Sequence, residues 1–276
     1  MKIILLTGNA SNQKALANKV ANAFDLVGLV IEKKPGNKQK LTVTRVLNKI
    51  RDLFYFSDIS KAWSNMLEYY AKKYPEFPQT DALVVDNINA QEVIDYIIKM
   101  KPDVVMVSGT SLIKKPFFVV KPAKGIVNLH TGLSPYIKGG PNCTNWCLAT
   151  DQFHLIGNTI MWLDEGIDSG NIITTEFVEF DGTEDLNTIH IKVMEAAHDL
   201  YLRALKAIDK KPSEVPSVKQ SEINKGTLYL TKMWTDDKKT SLLKNIKNGR
   251  FMRVVKHNDF KAKQQEVITV PLPQIL

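Results

Sequence analysis

Two stretches of this chain hold the residue types that polar chemistry needs, at spacings that would bring them together. In Gly125-Ile126-Val127-Asn128-Leu129-His130-Thr131-Gly132 an amide and an imidazole stand two residues apart. Residues i and i+2 of an extended segment share a face, so Asn128 and His130 would point the same way. An amide N–H can donate to a carbonyl oxygen, and an imidazolium can stabilise the charge that develops on it. A lone histidine in an apolar strand is usually a hydrogen-bonded core residue. The pair, followed by a loop with Gly132, Pro135, Gly139 and Gly140, indicates a site instead. The second stretch is Asp164-Glu165-Gly166-Ile167-Asp168-Ser169-Gly170. It lacks the alternating ligands and distal glutamate of an EF-hand, so calcium is not implied. Either the turn is simply solvated, or one carboxylate turns inward to His130, fixing its tautomer and raising its pKa.

An open parallel sheet binds ligands beyond the carboxyl ends of its strands, and the hydropathy pattern predicts such a sheet. Residues 2–7 form an apolar run without alternation, the mark of a strand covered on both faces. A helix with Leu16, Val20 and Phe24 at helical spacing follows, then a strand over 25–31, so the chain opens β-α-β. Further strands are predicted over 82–85, 103–108, 126–130, 156–163 and 171–180. Helical segments are predicted over 42–73, 90–100 and within 139–150. The aromatic residues of 54–70 lie at helix-compatible spacing and are expected to pack as core. Leu186, Ile189, Val193, Ala197, Leu200, Ala204 and Ile208 define a closing amphipathic helix, capped by Thr183 or Asp181 and stopped before Pro212. Pro212, Ser213, Pro216 and Ser217 mark a linker. The fold class expected is α/β: a Rossmann-like, mostly parallel sheet with helices on both faces, plus a small C-terminal α+β extension. The domains expected are 1–210 and 211–276, the second with a strand-like piece at 227–232 and a helix-like one at 239–247.

The 276 residues are 44% hydrophobic, enough for a substantial core, and carry a formal charge of +8. The excess charge clusters at Lys33, Lys34, Lys38, Lys40, Arg45, Lys49 and Arg51, and again from Lys206 to Lys263. An anionic partner would explain both clusters, and so would solubility. Cys143 and Cys147, four apart with no second pair to complete a zinc site, read as reduced thiols in a core. The opening apolar run is too short for a signal peptide and no stretch reaches membrane-spanning length, which predicts a cytoplasmic protein without a membrane partner.

Several chemistries are excluded by residues they need. The turn after the first strand has only Gly8 where a dinucleotide site requires Gly-x-Gly-x-x-Gly. No Walker lysine motif and no Gly-x-Ser-x-Gly elbow occurs. Glu195-Ala-Ala-His198 has the spacing of a di-iron motif but occurs once, on the closing helix, and reads as structural. A basic RNA-binding module is a reading of a different class. Nucleic acid is nonetheless not the expected partner.

Asn128-Leu129-His130, the loop Leu133-Ser134-Pro135-Tyr136-Ile137-Lys138-Gly139-Gly140, and Gly166-Ile167-Asp168-Ser169-Gly170 together resemble the folate-dependent formyltransferase family. That family includes glycinamide ribonucleotide, methionyl-tRNA and nucleotide-sugar enzymes. The resemblance covers roughly residues 1–208, with its specific motifs in 126–170. Two departures stand out: Lys138 occupies the place of the family arginine, and the serine-proline step is shortened. The resemblance implies transfer of a formyl group from N10-formyltetrahydrofolate, a co-substrate, to a primary amine without a metal. Asn128, His130 and Asp168 would be catalytic. Ser108, Gly109, Thr110, Leu112 and Ile113 would meet the folate, together with Asp164, Glu165 and Gly166. The methionyl-tRNA enzymes carry a larger C-terminal barrel and the glycinamide ribonucleotide enzymes are usually shorter. By elimination the acceptor expected is a nucleotide-linked amino sugar for a surface polysaccharide such as lipopolysaccharide O-antigen; the other two acceptors are the alternatives. The Lys33–Arg51 cluster would meet the diphosphate, and the tail would serve a homodimer contact.

Overall fold

The computed structural model describes residues 1–33 and 51–274. Strand β1 (Lys2–Gly8) is central, and Ile3, Ile4, Leu5 and Leu6 have no solvent exposure, which explains the unbroken apolar run. Helix α1 (Ser11–Ala23) lays Leu16, Ala17 and Val20 on the sheet and returns to β2 (Asp25–Glu32), parallel to β1. Helix α2 (Ser57–Lys73) precedes β3 (Ala82–Val85), which pairs outside β2. Helix α3 (Gln91–Met100) leads to β4 (Val104–Ser108) on the other side of β1. Then come β5 (Ile126–His130), a short β6 (Ile137–Gly139), helix α4 (Cys143–Ala149), β7 (Gly157–Trp162) and β8 (Ile172–Phe177).

The seven-stranded order is β3-β2-β1-β4-β5-β7-β8, parallel as far as β5 and antiparallel at β5–β7 and β7–β8. Strand order reverses between β1 and β4, so a crevice opens beyond Gly8 and Ser108. The closing helix α5 (Leu186–Lys210) packs Ala197, Leu200, Tyr201 and Ala204 against the sheet beside α1. Helix α3 and the 3-10 turn Lys115–Val119 cover the opposite face through Val93, Ile97 and Phe117. The layers are therefore those of an α/β sheet covered on both sides. Among the described residues no helix is long and apolar enough to cross a membrane.

The stretch 209–220 holds the end of α5, a 3-10 turn at Pro212–Glu214 and a bridge in which Ile172 and Val218 exchange both backbone hydrogen bonds. Beyond it, β9 (Thr227–Tyr229) runs parallel to β6, followed by α6 (Asp236–Lys247), α7 (Arg250–Val255) and α8 (Asn258–Gln265). These helices bury Leu242, Phe251 and Phe260 in one cluster with Trp146, Cys147 and Phe153. Val270 then exchanges hydrogen bonds with Thr175 on β8.

Three details differ from the sequence pattern. Asp185, not Thr183 or Asp181, caps α5 by accepting from the Thr188 N–H at 2.7 Å, because Asp181 is spent on the Thr183 N–H one turn earlier. Of the aromatic residues of 54–70 only Tyr70 is fully buried; Phe56 and Tyr69 are half-buried, Phe54 and Tyr55 are exposed, and Trp63 keeps 38% exposure. A surface helix buries one stripe, and the rest of its aromatics must face out. Helices α7 and α8 carry too few periodic apolar residues to be read from sequence. The helical expectation for 42–50, and Lys34, Lys38, Lys40, Arg45 and Lys49 of the basic cluster, lie outside the described residues.

Phe251 meets Phe153 and Phe180 edge-on at centroid distances of 5.5 and 5.4 Å, joining the tail to the body. Phe251→Ala is expected to cost about 3–5 kcal/mol, the range for deleting a buried phenylalanine. Urea denaturation read by fluorescence and by far-ultraviolet dichroism should show this as one coincident, weakened transition. A separate early transition with the main one unshifted would mean that the tail unfolds independently.

Candidate active site

Strand alternation sends Val127 and Leu129 into the core under α1 and α5, which leaves Asn128 and His130 on the other face. His130 is only 8% exposed. Its Nδ1 lies 3.3 Å from Asp168 Oδ2. Its Nε2 lies 3.2 Å from the Ile137 carbonyl oxygen and 3.6 Å from Cys143 Sγ. The ring is thus held from both ends. Gly132 makes room for it: a Cβ there would stand 2.4 Å from His130 Nε2 and 2.9 Å from Cys143 Sγ. Thr159, opposite His130 on β7, donates to the Gly132 carbonyl at 2.7 Å and accepts from the Ser134 N–H at 2.9 Å. That fixes the path of the loop after β5.

Asp168 sits in left-handed backbone, φ 48°, which a non-glycine residue adopts only when its surroundings hold it there. Two groups supply the hold. The Gly139 N–H donates to Asp168 Oδ2 at 3.1 Å, and Gln220 Nε2 donates to the carbonyl oxygens of Asp168 and Gly170 at 2.7 and 2.9 Å. Gly139 in turn is pressed against β9, where a Cβ would stand 2.1 Å from the Tyr229 carbonyl oxygen. Burial alone would push the His130 imidazolium down. The Asp168 carboxylate, Cys143 and the Ile137 carbonyl together outweigh it and lift the pKa to about 10.

Two clefts open at the carboxyl ends of the strands and share Gly109 and Leu129. The smaller, about 320 Å³, gathers Gly109, Thr110, Leu112 and Ile113 from the loop after β4. It is closed by Asn128, Gly166 and Asp168. Ser108 lines instead the larger cleft, about 630 Å³, with Asn12, Lys33 and Trp63 among its walls. Asp164 and Glu165 line neither and are exposed. Asp164 Oδ1 accepts from the Gly166 N–H at 3.1 Å and the Ser169 hydroxyl at 2.7 Å, so it shapes the turn from within.

Four contributors were missed in the sequence: Glu32, Cys143, Thr159 and Gln220. Buried Glu32 ends β2 and accepts from the Ser111 N–H at 2.6 Å and the Ile88 N–H at 3.2 Å, fastening the loop after β4. A charged residue closing an apolar strand was a usable clue there. Gln220 lies 52 residues from Asp168 and nothing local marks it.

Residues 1–205 match the family described as formyl transferase. A methionyl-tRNA formyltransferase from Halothermothrix orenii is 33% identical over 142 residues, 51% of this chain and 43% of the relative. The match thus spans less than half the length of that relative. Among solved structures, a sugar N-formyltransferase from a Shewanella species superposes with a TM-score of 0.53 at 13% identity, covering 88% of this chain and 87% of that one. A phosphoribosylglycinamide formyltransferase from Anaplasma phagocytophilum gives 0.54 at 15% identity, covering 83% and 98%. At such identities the superpositions speak for the fold.

His130 is expected to stay an imidazolium through pH 8 in a histidine-resolved NMR titration, with Asp168→Asn letting it lose its proton near or below pH 6.5. Because its folded-state pKa lies above the ordinary value of 6.5, the pair's stabilisation is complete below that pH and fades as pH rises toward 10. Wild-type stability should therefore decline over that window more than that of Asp168→Asn. An equal titration in both proteins would show that Asp168 does not hold the charge.

Proposed function

The chain belongs to the formyl transferase family, and we propose that it moves a formyl group from N10-formyltetrahydrofolate to a primary amine carried by a nucleotide-linked sugar. The observation that carries this reading is the buried His130–Asp168 pair at 3.3 Å, joined through Asp168 to a cleft that Asn128 also lines. The pterin has a suitable place in that cleft of about 320 Å³, where the loop after β4 offers backbone beside Leu112 and Ile113.

In this reading the amine enters from the larger cleft and attacks the formyl carbon, forming a carbon–nitrogen bond and a tetrahedral oxyanion. The Asn128 amide donates to that oxygen, and the nearby imidazolium offsets its charge. His130 Nε2 is occupied by Ile137 and Cys143, so the Nδ1 edge, facing Asp168, is the one turned toward the reaction. Asp168 accepts the proton released by the amine. Collapse of the intermediate breaks the bond to N10, which leaves as a neutral amine carrying the proton that Asp168 took from the acceptor and now returns. The chain's contribution is preorganised charge and alignment.

The acceptor class is supported by the larger cleft. The residue before α1 is Ala10, which has no side chain to cap the first N–H groups, and Gly8, Asn9 and Ala10 line the cleft. A helix terminus of this kind, with Lys33 on the same wall and the neighbouring Glu32 carboxylate spent on the Ile88 and Ser111 N–H groups, suits a phosphate or diphosphate. The sequence likeness to methionyl-tRNA formyltransferase favours methionyl-tRNA as a second reading. Glycinamide ribonucleotide is the third.

Formyl transfer from N10-formyltetrahydrofolate to a panel of nucleotide-linked amino sugars, glycinamide ribonucleotide and methionyl-tRNA tests the assignment. His130→Ala and Asp168→Asn should each lower kcat by about a hundredfold or more at an unchanged fold. Lys138→Ala, beside the site but off its donor set, should cost far less. Near-normal turnover by either of the first two would remove the catalytic assignment; turnover with methionyl-tRNA alone would remove the sugar.

A further inference from the structure

A third cleft, about 410 Å³, lies between α2, the Pro141–Asn145 segment and α6. It meets the larger cleft at Trp63, which lines both. We propose that it is the subsite for the nucleobase of the acceptor, a reading that rests on formyl transfer to a nucleotide-linked amine.

The walls are aromatic and held in place from behind. Trp234 meets Trp146 edge-on at 4.9 Å, and Trp146 is itself stacked on Tyr229 at 4.3 Å. Trp63 meets His190 edge-on at 5.9 Å. Trp63 keeps 38% exposure and Trp234 is half-buried. A planar heterocycle is the ligand that gains most from such faces, since every base has a π surface.

The polar groups on the same wall point to a heterocycle with hydrogen-bonding edges rather than a plain apolar group. Asn145 is 8% exposed, and its Nδ2 is spent on the Leu148 carbonyl at 2.7 Å and Asp151 Oδ1 at 2.9 Å. Its Oδ1 has no partner among the described residues, an expensive state for a buried acceptor. Neighbouring Asn142 uses its Oδ1 to accept from the Asn145 N–H at 2.9 Å, so the group it has to offer is its N–H₂. An acceptor beside a donor matches the edge of a base.

Charge argues against phosphate in this cleft. Among the described residues Lys239 is the one cation on its wall, and it is neutralised by Asp52 at 2.8 Å and Asp236 at 3.3 Å. Lys33 and the uncapped start of α1 belong to the adjoining cleft. The molecule thus offers in sequence a cleft beside Asn128 and Asp168, a cleft suited to phosphate, and an aromatic cleft beyond Trp63. A nucleotide sugar laid along them would place its amine at Asn128 and its base between the tryptophans. The cleft assigned to the pterin adjoins the larger one at Gly109 and Leu129, whereas the aromatic cleft adjoins it at Trp63.

The experiment is calorimetric binding of UDP, dTDP, GDP, CDP and ADP to the full chain, against inorganic pyrophosphate. A folate analogue is titrated into the same samples. At least one nucleoside diphosphate should bind about tenfold or more tightly than pyrophosphate, the scale of one aromatic stack. Trp63→Ala should erase that margin and Trp63→Phe should restore most of it, with pyrophosphate binding unmoved by either. Ser60→Trp, which fills the cleft from an exposed position, should abolish the margin while the folate analogue still binds. Nucleoside diphosphates no tighter than pyrophosphate, or an undiminished margin in Ser60→Trp, overturn the base subsite. Loss of folate binding by the folded wild type would instead overturn the formyl-transfer reading beneath it.

Discussion

An imidazole at 8% exposure holds a charge only if a carboxylate is fixed against it, and most of the architecture between residues 126 and 229 answers to that requirement. Asp168 must sit in left-handed backbone to reach His130 Nδ1, and a strained residue stays put only where neighbours over-determine it. The Gly139 N–H holds its carboxylate and Gln220 holds its carbonyl oxygen. Gly139 belongs to β6, and β6 is paired with β9. The geometry of the pair therefore depends on residues beyond 211 as well as on the sheet that presents His130.

This gives the tail a physical reason to be packed as it is. Its helices share one apolar cluster with α4, and α4 carries Cys143, whose sulfur faces His130 Nε2. Gln220, Tyr229 and Cys143 are three routes by which the tail and the short helix bear on one imidazole. The sheet does the complementary task. Its strand order places β4 and β5 side by side, so the loop after β4 and the turn around Asp168 close over Asn128 from two directions. Glu32, a buried charge at the end of β2, is stabilised because both oxygens receive backbone N–H groups of the loops it fastens.

The departure at Lys138 is placed by the same scaffold. Its backbone pairs with Leu228 in the β6–β9 ladder, next to the glycine that supports Asp168. An arginine would offer a planar fork where lysine offers a single mobile charge, so the change alters what can be gripped beside the site and not the ladder itself. The aromatic residues of 54–70 show the limit of pattern reading from the other side. Their spacing describes a helix correctly, but spacing does not say that Tyr70 faces the core and Trp63 a cleft.

The amino-acid sequence alone determined the strands and most helices of residues 1–210, because apolar runs and helical periodicity are local consequences of burial. It also determined that Asn128 and His130 share a face, since alternation along a strand leaves no choice. The cap of α5, the helices α7 and α8, and the placing of Ser108, Asp164 and Glu165 away from the cleft of Asn128 were decided by the tertiary structure. So was the company His130 keeps: Asp168 lies 38 positions away, Gln220 reaches back 52 to hold Asp168, and Cys143 reads in sequence as an ordinary core thiol. Local physics fixes what a segment can become. Which distant carboxylate meets a buried imidazole is settled only when loops of unrelated sequence are packed to satisfy each other's backbone groups.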